Sequence, residues 1–173
     1  MVGKRTAEEI DGPGESAHRG EELASGIAAS LTSIIMWAQS PRVLRGSMEA
    51  TQFPLRGDEP AFRFLIEVIR AGSIRPTELA DLLGTGRANV SKITARLEDA
   101  GFVHRVTNPS DTRSVFVQLT PSGRAFADDF TSIGEGYYQT LLSRWPNADV
   151  ETLARLLPRL GADLIELASI RSQ

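Results

Sequence analysis

Residues 75–123 constrain the fold more than any other part of this 173-residue chain. In order, they run through RPTELADLL, the turn GTG, RANVSKITARLEDAG, FVHRVTN, PSDTRS, VFVQLT and PSG. The periodicity is that of two short helices joined across glycines, followed by two strands joined by a polar loop. This order is typical of a winged helix-turn-helix. We therefore expect a mainly α-helical chain with a small antiparallel β wing.

The first helix of this motif begins near Pro76, whose fixed φ angle suits the first position of a helix. We expect three leucines to form its buried side: Leu79, Leu82 and Leu83. Gly84 and Gly86 allow the tight turn that a helix-turn-helix needs. A glycine-rich phosphate loop is not favoured, because no strand precedes GTG and no lysine follows it at the required position.

The second helix is amphipathic, because Val90, Ile93 and Leu97 are spaced to face the core. Its opposite face is small or hydrogen-bonding, which suits a DNA major groove about 12 Å wide. The surface that we expect to contact DNA comprises Thr85, Gly86, Arg87, Ala88, Asn89, Ser91, Lys92 and Arg96. By residue type we expect an adenine edge for Asn89, a guanine or phosphate for Arg87 or Lys92, and phosphates for Thr85 and Ser91. A solvated polar face is the alternative for this helix taken alone.

Two apolar segments, within residues 102–106 and 115–119, predict the strands of the wing. The polar loop between them spans residues 108–113 and includes Ser110, Asp111, Thr112 and Arg113. Asp111 and Arg113 are two residues apart, so their side chains can meet and stiffen the loop. An arginine held near a loop tip can enter a narrow minor groove. The alternative for Arg113 is an exposed ion pair of little energetic value.

The distribution of charge is compatible with a nucleic-acid partner, although the chain carries a formal net charge of -3. Residues 71–113 hold six basic and five acidic side chains, whereas residues 1–24 hold three and six. The negative charge therefore lies in the flanks. This distribution predicts modest non-specific affinity for DNA.

The chain has no cysteine, which excludes disulfides, thiolate metal sites and cysteine nucleophiles. Residues 1–22 are polar and do not resemble a secretory signal. The apolar stretch at residues 27–38 is too short to span a bilayer. We therefore expect a cytoplasmic protein that has no membrane partner.

Four segments organise the chain by pattern and composition. We expect a disordered tail over residues 1–18, an N-terminal dimerisation helix and connector over 19–57, the winged helix-turn-helix over 58–123, and C-terminal dimerisation helices over 124–173. Pro41 is expected to break the first helix, and Ala71-Gly72 to end the helix that precedes the motif.

Long apolar stripes mark the outer helices. One runs along Leu23, Ile27, Leu31, Ile34 and Ala38, another from Phe126 to Trp145, and a third from Val150 to Leu167. An amphipathic helix without a partner in its own chain usually finds one in another chain. We therefore predict homodimerisation through these helices, and a larger monomeric helical core is the alternative.

Residues 78–123 resemble the MarR family of transcriptional regulators. The segments that carry the resemblance are ELADLL at 78–83, VSKITARLEDAGFV at 90–103, NPSDTR at 108–113 and LTPSG at 119–123. The resemblance implies a triangular homodimer whose two winged lobes straddle a DNA palindrome. It also implies that Arg113 lies in the minor groove, that Asp111 orients it, and that the helix starting near Gly86 reads the major groove.

Two features of this chain depart from the family pattern. Gly86 stands where the family commonly has a serine, so the capping hydroxyl is either lost or supplied by Thr85. A glycine cap costs only about a few tenths of a kcal/mol. Many members sense oxidants through cysteine, which this chain lacks.

The function that we expect is that of a dimeric repressor of transcription, bound to a palindromic operator in double-stranded DNA. The resemblance also implies a pocket for a small aromatic or phenolic effector that releases the DNA. Helix assignment makes Met36, Trp37, Tyr137 and Tyr138 candidates to line it, but the residues themselves favour ordinary core or interface packing.

Two other classes of function fit the sequence less well than a regulator. An enzyme is not expected, because the two histidines, His18 and His104, belong to no catalytic or metal-binding pattern. No catalytic residue, metal or cofactor is therefore predicted. A winged-helix module that binds protein instead of DNA is the remaining alternative, and the mildly acidic total charge is its only support.

Overall fold

Seven helices and a small antiparallel sheet make up the described part of the chain, which confirms the predicted fold class, a mainly α-helical chain with a small β wing. The computed structural model describes the backbone of residues 13–108 and 111–171, and the side chains of residues 18–107 and 115–167. The elements are α1 (Pro13–Ala38), α2 (Pro41–Ala50), α3 (Glu59–Ala71), β1 (Ser73–Ile74), α4 (Pro76–Leu82), α5 (Arg87–Asp99), β2 (Val103–Asn108), β3 (Asp111–Leu119), α6 (Pro121–Leu142) and α7 (Asn147–Arg171). Backbone contacts divide the chain into two units, Met1–Gln52 and Phe53–Gln173.

The first unit contains α1 and α2. Helix α1 begins at Pro13, so residues 13–18 are helical where the sequence analysis expected a disordered tail. The break at Pro41 is confirmed: Ser40 caps α2, and its Oγ accepts a hydrogen bond from the Val43 amide at 3.4 Å. Helix α2 buries Leu44 and Met48, whereas the apolar residues of α1 are largely exposed.

Helix α3 supplies the centre of the core in the second unit. The Asp58 carboxylate caps its start by accepting from the Ala61 amide at 3.0 Å. Five residues of α3 are buried: Ala61, Phe62, Phe64, Leu65 and Val68. The helix ends at Ala71, as predicted, and Gly72 continues at a φ of 70°, a conformation that favours glycine.

Helix α4 starts at Pro76 as predicted, but its buried face differs from the expected one. Leu79 and Ala80 are buried, whereas Leu82 is 54% exposed. Leu82 lies on the side of the helix away from Ala80, so it cannot share the face that Leu79 and Ala80 form. The turn into α5 requires a glycine at position 84, where φ is 59°.

The sheet has the order β1-β3-β2, with all neighbours antiparallel. Strands β2 and β3 pair from Val103↔Leu119 to Thr107↔Val115, and the register is irregular after Thr107. Strand β1 was not predicted, because two residues are too few to display alternation. The predicted loop over residues 108–113 is also wrong in extent, because Asn108 belongs to β2 and residues 111–113 belong to β3.

An aromatic cluster joins α6 to the rest of the winged lobe, which we define as residues 53–130. Its rings are those of Phe53, Phe62, Phe102, Phe126 and Phe130, with centroids 5.1–6.5 Å apart in the pairs that touch. Gly123 permits this approach, because a Cβ there would overlap the carbonyl oxygen of Phe102. The start of α6 therefore packs directly on the turn before β2.

Candidate nucleic-acid interface

Seven of the eight predicted DNA-contacting residues at α5, all except Arg96, lie on the outward side of the helix. Val90, Ile93 and Leu97 are buried, as predicted, and Thr94 is buried beside them with its hydroxyl donating to the Val90 carbonyl at 2.8 Å. This anchoring turns the other side of the helix to solvent. The exposed residues there are Gly86, Arg87, Ala88, Asn89, Ser91 and Lys92, with Thr85 half-buried at their edge. We call these seven residues the α5 surface.

The first turn of α5 has no side-chain cap. Gly86 occupies the cap position with extended backbone, and no side chain accepts from the helix there. The Thr85 hydroxyl does not replace the missing cap: among the described residues its Oγ1 accepts from the Asn89 side chain, through Nδ2 at 2.9 Å, and from no backbone amide of α5. The pair Thr85–Asn89 is therefore an ordered polar feature of the α5 surface.

Arg96 is bonded within the lobe. Its Nε donates to Asp58 Oδ2 at 2.7 Å and its Nη2 donates to Asp58 Oδ1 at 3.3 Å. The same carboxylate caps α3, so this ion pair fastens the middle of α5 to the start of α3. Arg96 was predicted to contact DNA, and its pairing with Asp58 was not predicted, because 38 residues separate the two.

A second ion pair fastens the wing to α5. Arg105, on β2, donates to Glu98 through both its guanidinium and its backbone amide, the latter at 3.1 Å. The guanidinium also donates to the carbonyl oxygen of Ser91 at 3.4 Å. Both residues were absent from the predicted site. Their opposite charges on either side of the helix-to-strand turn were the signal that could have revealed them.

The outer end of the wing carries the remaining predicted residues. Asp111, Thr112 and Arg113 belong to β3, but their side chains lie outside the described residues, and so does Ser110 altogether. The pairing of Asp111 with Arg113 stays a prediction, because both side chains lie outside the described residues. At the inner end, the Arg75 guanidinium lies 5.3 Å from the centre of the Phe116 ring, which adds a cation that the sequence analysis did not include.

The four effector candidates fall in different units. Met36 and Trp37 lie on α1 in the first unit, with 69% and 44% of their surfaces exposed. Tyr137 and Tyr138 lie on α6 in the second unit, about half exposed, with ring centroids 5.6 Å apart. The structure therefore brings the two tyrosines into contact with each other.

The described residues contain no group of three or more metal-ligating side chains placed to hold an ion. Within those same residues, no helix has the length and apolar character that crossing a bilayer requires.

Comparisons with known proteins agree with this geometry. The sequence profile of the MarR family matches residues 58–115. The multiple antibiotic resistance protein MarR of Salmonella typhimurium is 32% identical over 108 residues, which are 62% of this chain and 75% of that protein. An HTH-type transcriptional repressor of Mycobacterium tuberculosis is 29% identical over 121 residues, covering 70% of this chain and 87% of that protein. A transcriptional regulator from Thermotoga maritima shares the fold, with a TM-score of 0.64 at 21% identity over 84% of this chain and 98% of that one.

Proposed function

This chain belongs to the MarR family, whose members are transcriptional regulators and not enzymes, and we propose that it is a cytoplasmic homodimer that represses transcription from a palindromic operator in double-stranded DNA. The observation that carries the proposal is the α5 surface. It presents small and hydrogen-bonding side chains outward, while the opposite side of the helix is locked into the core. Such a helix can enter a major groove without losing its own packing.

The wing completes the proposed contact. Arg105 and Glu98 fasten the base of the wing to α5, which supports a joint contact of β2 and the α5 surface with one duplex. In this proposal α5 reads the major groove and Arg113 enters the adjacent minor groove, with Asp111 orienting the guanidinium. Ser110 and Thr112 contact phosphates, as do the cations of the α5 surface.

A second copy of the chain is the proposed partner of the outer helices. Large apolar side chains of α1, α6 and α7 are about half exposed, including Ile34, Leu141 and Leu164. Exposed apolar stripes of this kind are typical of interaction sites. Two-fold pairing would also place two α5 helices on half-sites about one turn of DNA apart.

The proposal extends to the sign of regulation, which is repression, and to its relief by an effector. Repression is supported by the relative from Mycobacterium tuberculosis, which is named a transcriptional repressor. We propose that a small aromatic or phenolic effector relieves repression; the residues predicted to bind it are Met36 and Trp37 on α1, and Tyr137 and Tyr138 on α6. The effector would favour a separation of the lobes that misfits the palindrome. Equal operator binding by effector-saturated and free protein would contradict this part.

Selection of duplexes from a random pool, followed by mobility-shift titration, tests the main proposal. A palindrome should emerge and bind with a Kd of about 10⁻⁸ to 10⁻¹¹ M, and affinity should fall steeply as salt rises. Sedimentation in the same buffer should report a dimer. The alternative, a winged module that binds protein, predicts no salt-dependent binding to any duplex. A stable monomer that still binds the selected duplex would overturn the dimer.

A further inference from the structure

We propose that Asn89 reads an adenine in each half-site and that Thr85 holds the Asn89 amide in position to do so. The inference rests on the proposed function and deepens it, because it names the base that the α5 surface selects. It is carried by the hydrogen bond from Asn89 Nδ2 to Thr85 Oγ1, 2.9 Å long, on an otherwise solvent-facing helix turn.

The backbone of Thr85 holds its hydroxyl in place on the α5 surface. The Thr85 backbone amide donates to the Ala80 carbonyl at 2.9 Å, which ties this residue to α4. A β-branched side chain has few χ1 rotamers, and Thr85 is half-buried, so its Oγ1 has little freedom to move. The Asn89 side chain, although exposed, is thereby held by a partner that belongs to the preceding turn.

The hydrogen bond determines what the Asn89 amide can still offer. A carboxamide has two N–H donors and one carbonyl acceptor, and Thr85 uses one donor. Oδ1 accepts no hydrogen bond from the residues that the structure describes. One N–H donor and the Oδ1 acceptor of Asn89 therefore remain available to a ligand.

Among the bases, only adenine matches this remaining pair in the major groove. Adenine presents the N7 acceptor next to the N6 donor, whereas guanine presents two acceptors and thymine an acceptor and a methyl group. Cytosine presents only a donor. Asn89 is the only side-chain amide of α5, and the cations Arg87 and Lys92 can donate but cannot accept from N6.

The neighbours of Asn89 leave room for a base edge. Gly86 has no side chain, and a Cβ built on it would meet nothing within 4 Å. Ala88 adds only a methyl group, and both residues are exposed. A base pair can therefore approach the amide without displacing a bulky side chain.

The first test asks whether the Asn89 carboxamide contacts N7 of one adenine in the operator. In the operator selected by the wild-type protein, each adenine is replaced in turn by 7-deazaadenine, which pairs normally but lacks N7. At one position per half-site, the replacement should weaken wild-type binding by about 5- to 20-fold. For Asn89→Ala, the same replacement should cost nothing further, because the contact is already gone.

The second test isolates Thr85. Thr85→Val keeps the shape and removes the hydroxyl, so discrimination of adenine from guanine at that position should fall by about 2- to 10-fold. Thr85→Ser restores the hydroxyl and should restore the discrimination. Lys92→Ala is the matched control: it should weaken binding to all duplexes without changing this preference. Thermal melts confirm that the variants are folded.

Each outcome of these tests supports or overturns the proposed roles of Asn89 and Thr85. Coupling between Asn89 and N7, with a preference rescued by serine, supports the inference. Equal penalties for 7-deazaadenine in wild type and Asn89→Ala overturn the adenine contact, and an unchanged preference in Thr85→Val overturns the role of Thr85. If the wild-type protein selects no duplex at all, the proposed function itself fails. If it selects a palindrome but shows no coupling, only this inference fails.

Discussion

The winged lobe and the outer helices differ in how far their apolar residues are buried. In the lobe, Phe62, Leu65 and Leu97 are completely buried. Of the described large apolar side chains that are exposed, all but Leu82 lie in α1, in α6, in α7 or at Trp145, just after α6. Both regions carry apolar stripes, yet only the lobe buries its stripes within one chain. The difference teaches that an apolar stripe predicts burial without saying in which molecule the covering surface lies.

The largest effect is expected from a matched pair of leucine truncations, one in the lobe and one in an outer helix. Leu65→Ala should lower the free energy of unfolding by about 2–5 kcal/mol, because it opens a cavity in a closed core. Leu164→Ala removes the same atoms from a side chain that is 51% exposed. Its effect should depend on protein concentration, as dimer stability does. Denaturant titrations at two concentrations measure both, and equal, concentration-independent losses would break the contrast.

Charge introduced into an outer stripe tests the proposed partner directly. Leu164→Glu should raise the dimer dissociation constant by about 100-fold, because an unpaired carboxylate at an interface costs several kcal/mol. Leu82→Glu is the control, since Leu82 is equally exposed but belongs to the lobe. Sedimentation equilibrium should detect a shift only for the first variant. Dissociation caused by Leu82→Glu would place the interface on the lobe instead.

Arg113→Ala separates DNA contact from pairing. We expect operator affinity to fall by about 10-fold, in the range of one lost charge-assisted contact, while the dimer stays folded. A mobility-shift titration gives the affinity, and sedimentation gives the oligomeric state. Unchanged affinity would remove the wing from the mechanism and leave the α5 surface alone.

The smallest expected effect concerns the ion pair between Asp58, at the start of α3, and Arg96 of α5. Asp58→Ala removes both the α3 cap and the Arg96 ion pair, and should cost about 1–2 kcal/mol of stability. Asp58→Asn retains a capping side chain and loses the charge, so it should cost less. Glu67→Gln, which breaks the exposed ion pair with Arg70, should cost about 0.5 kcal/mol or less. If Asp58→Asn costs as much as Asp58→Ala, the charge and not the cap carries the stabilisation.

Sequence periodicity predicted the parts of the site that near neighbours control. The buried side of α5 at Val90, Ile93 and Leu97 is confirmed, and so are the break at Pro41 and the end of α3 before Gly72. Such features depend on helix geometry within one or two turns. The outward direction of the α5 surface follows from them, because its buried side leaves only one side for solvent.

Contacts between distant segments were decided only by the tertiary structure. Whether Leu82 or Ala80 joins Leu79 in the core depends on how α4 lies against its neighbours, and not on the spacing of its leucines. The bond from Arg96 to Asp58, the pair Glu98–Arg105 and the close approach of Gly123 to Phe102 join segments that the fold brings together. Strand β1 exists because β3 pairs with it. The amino-acid order alone determined the helices, the turn and the wing, since these arise from local backbone preferences; the position of each element, and hence the arrangement of the site, was decided by packing between elements.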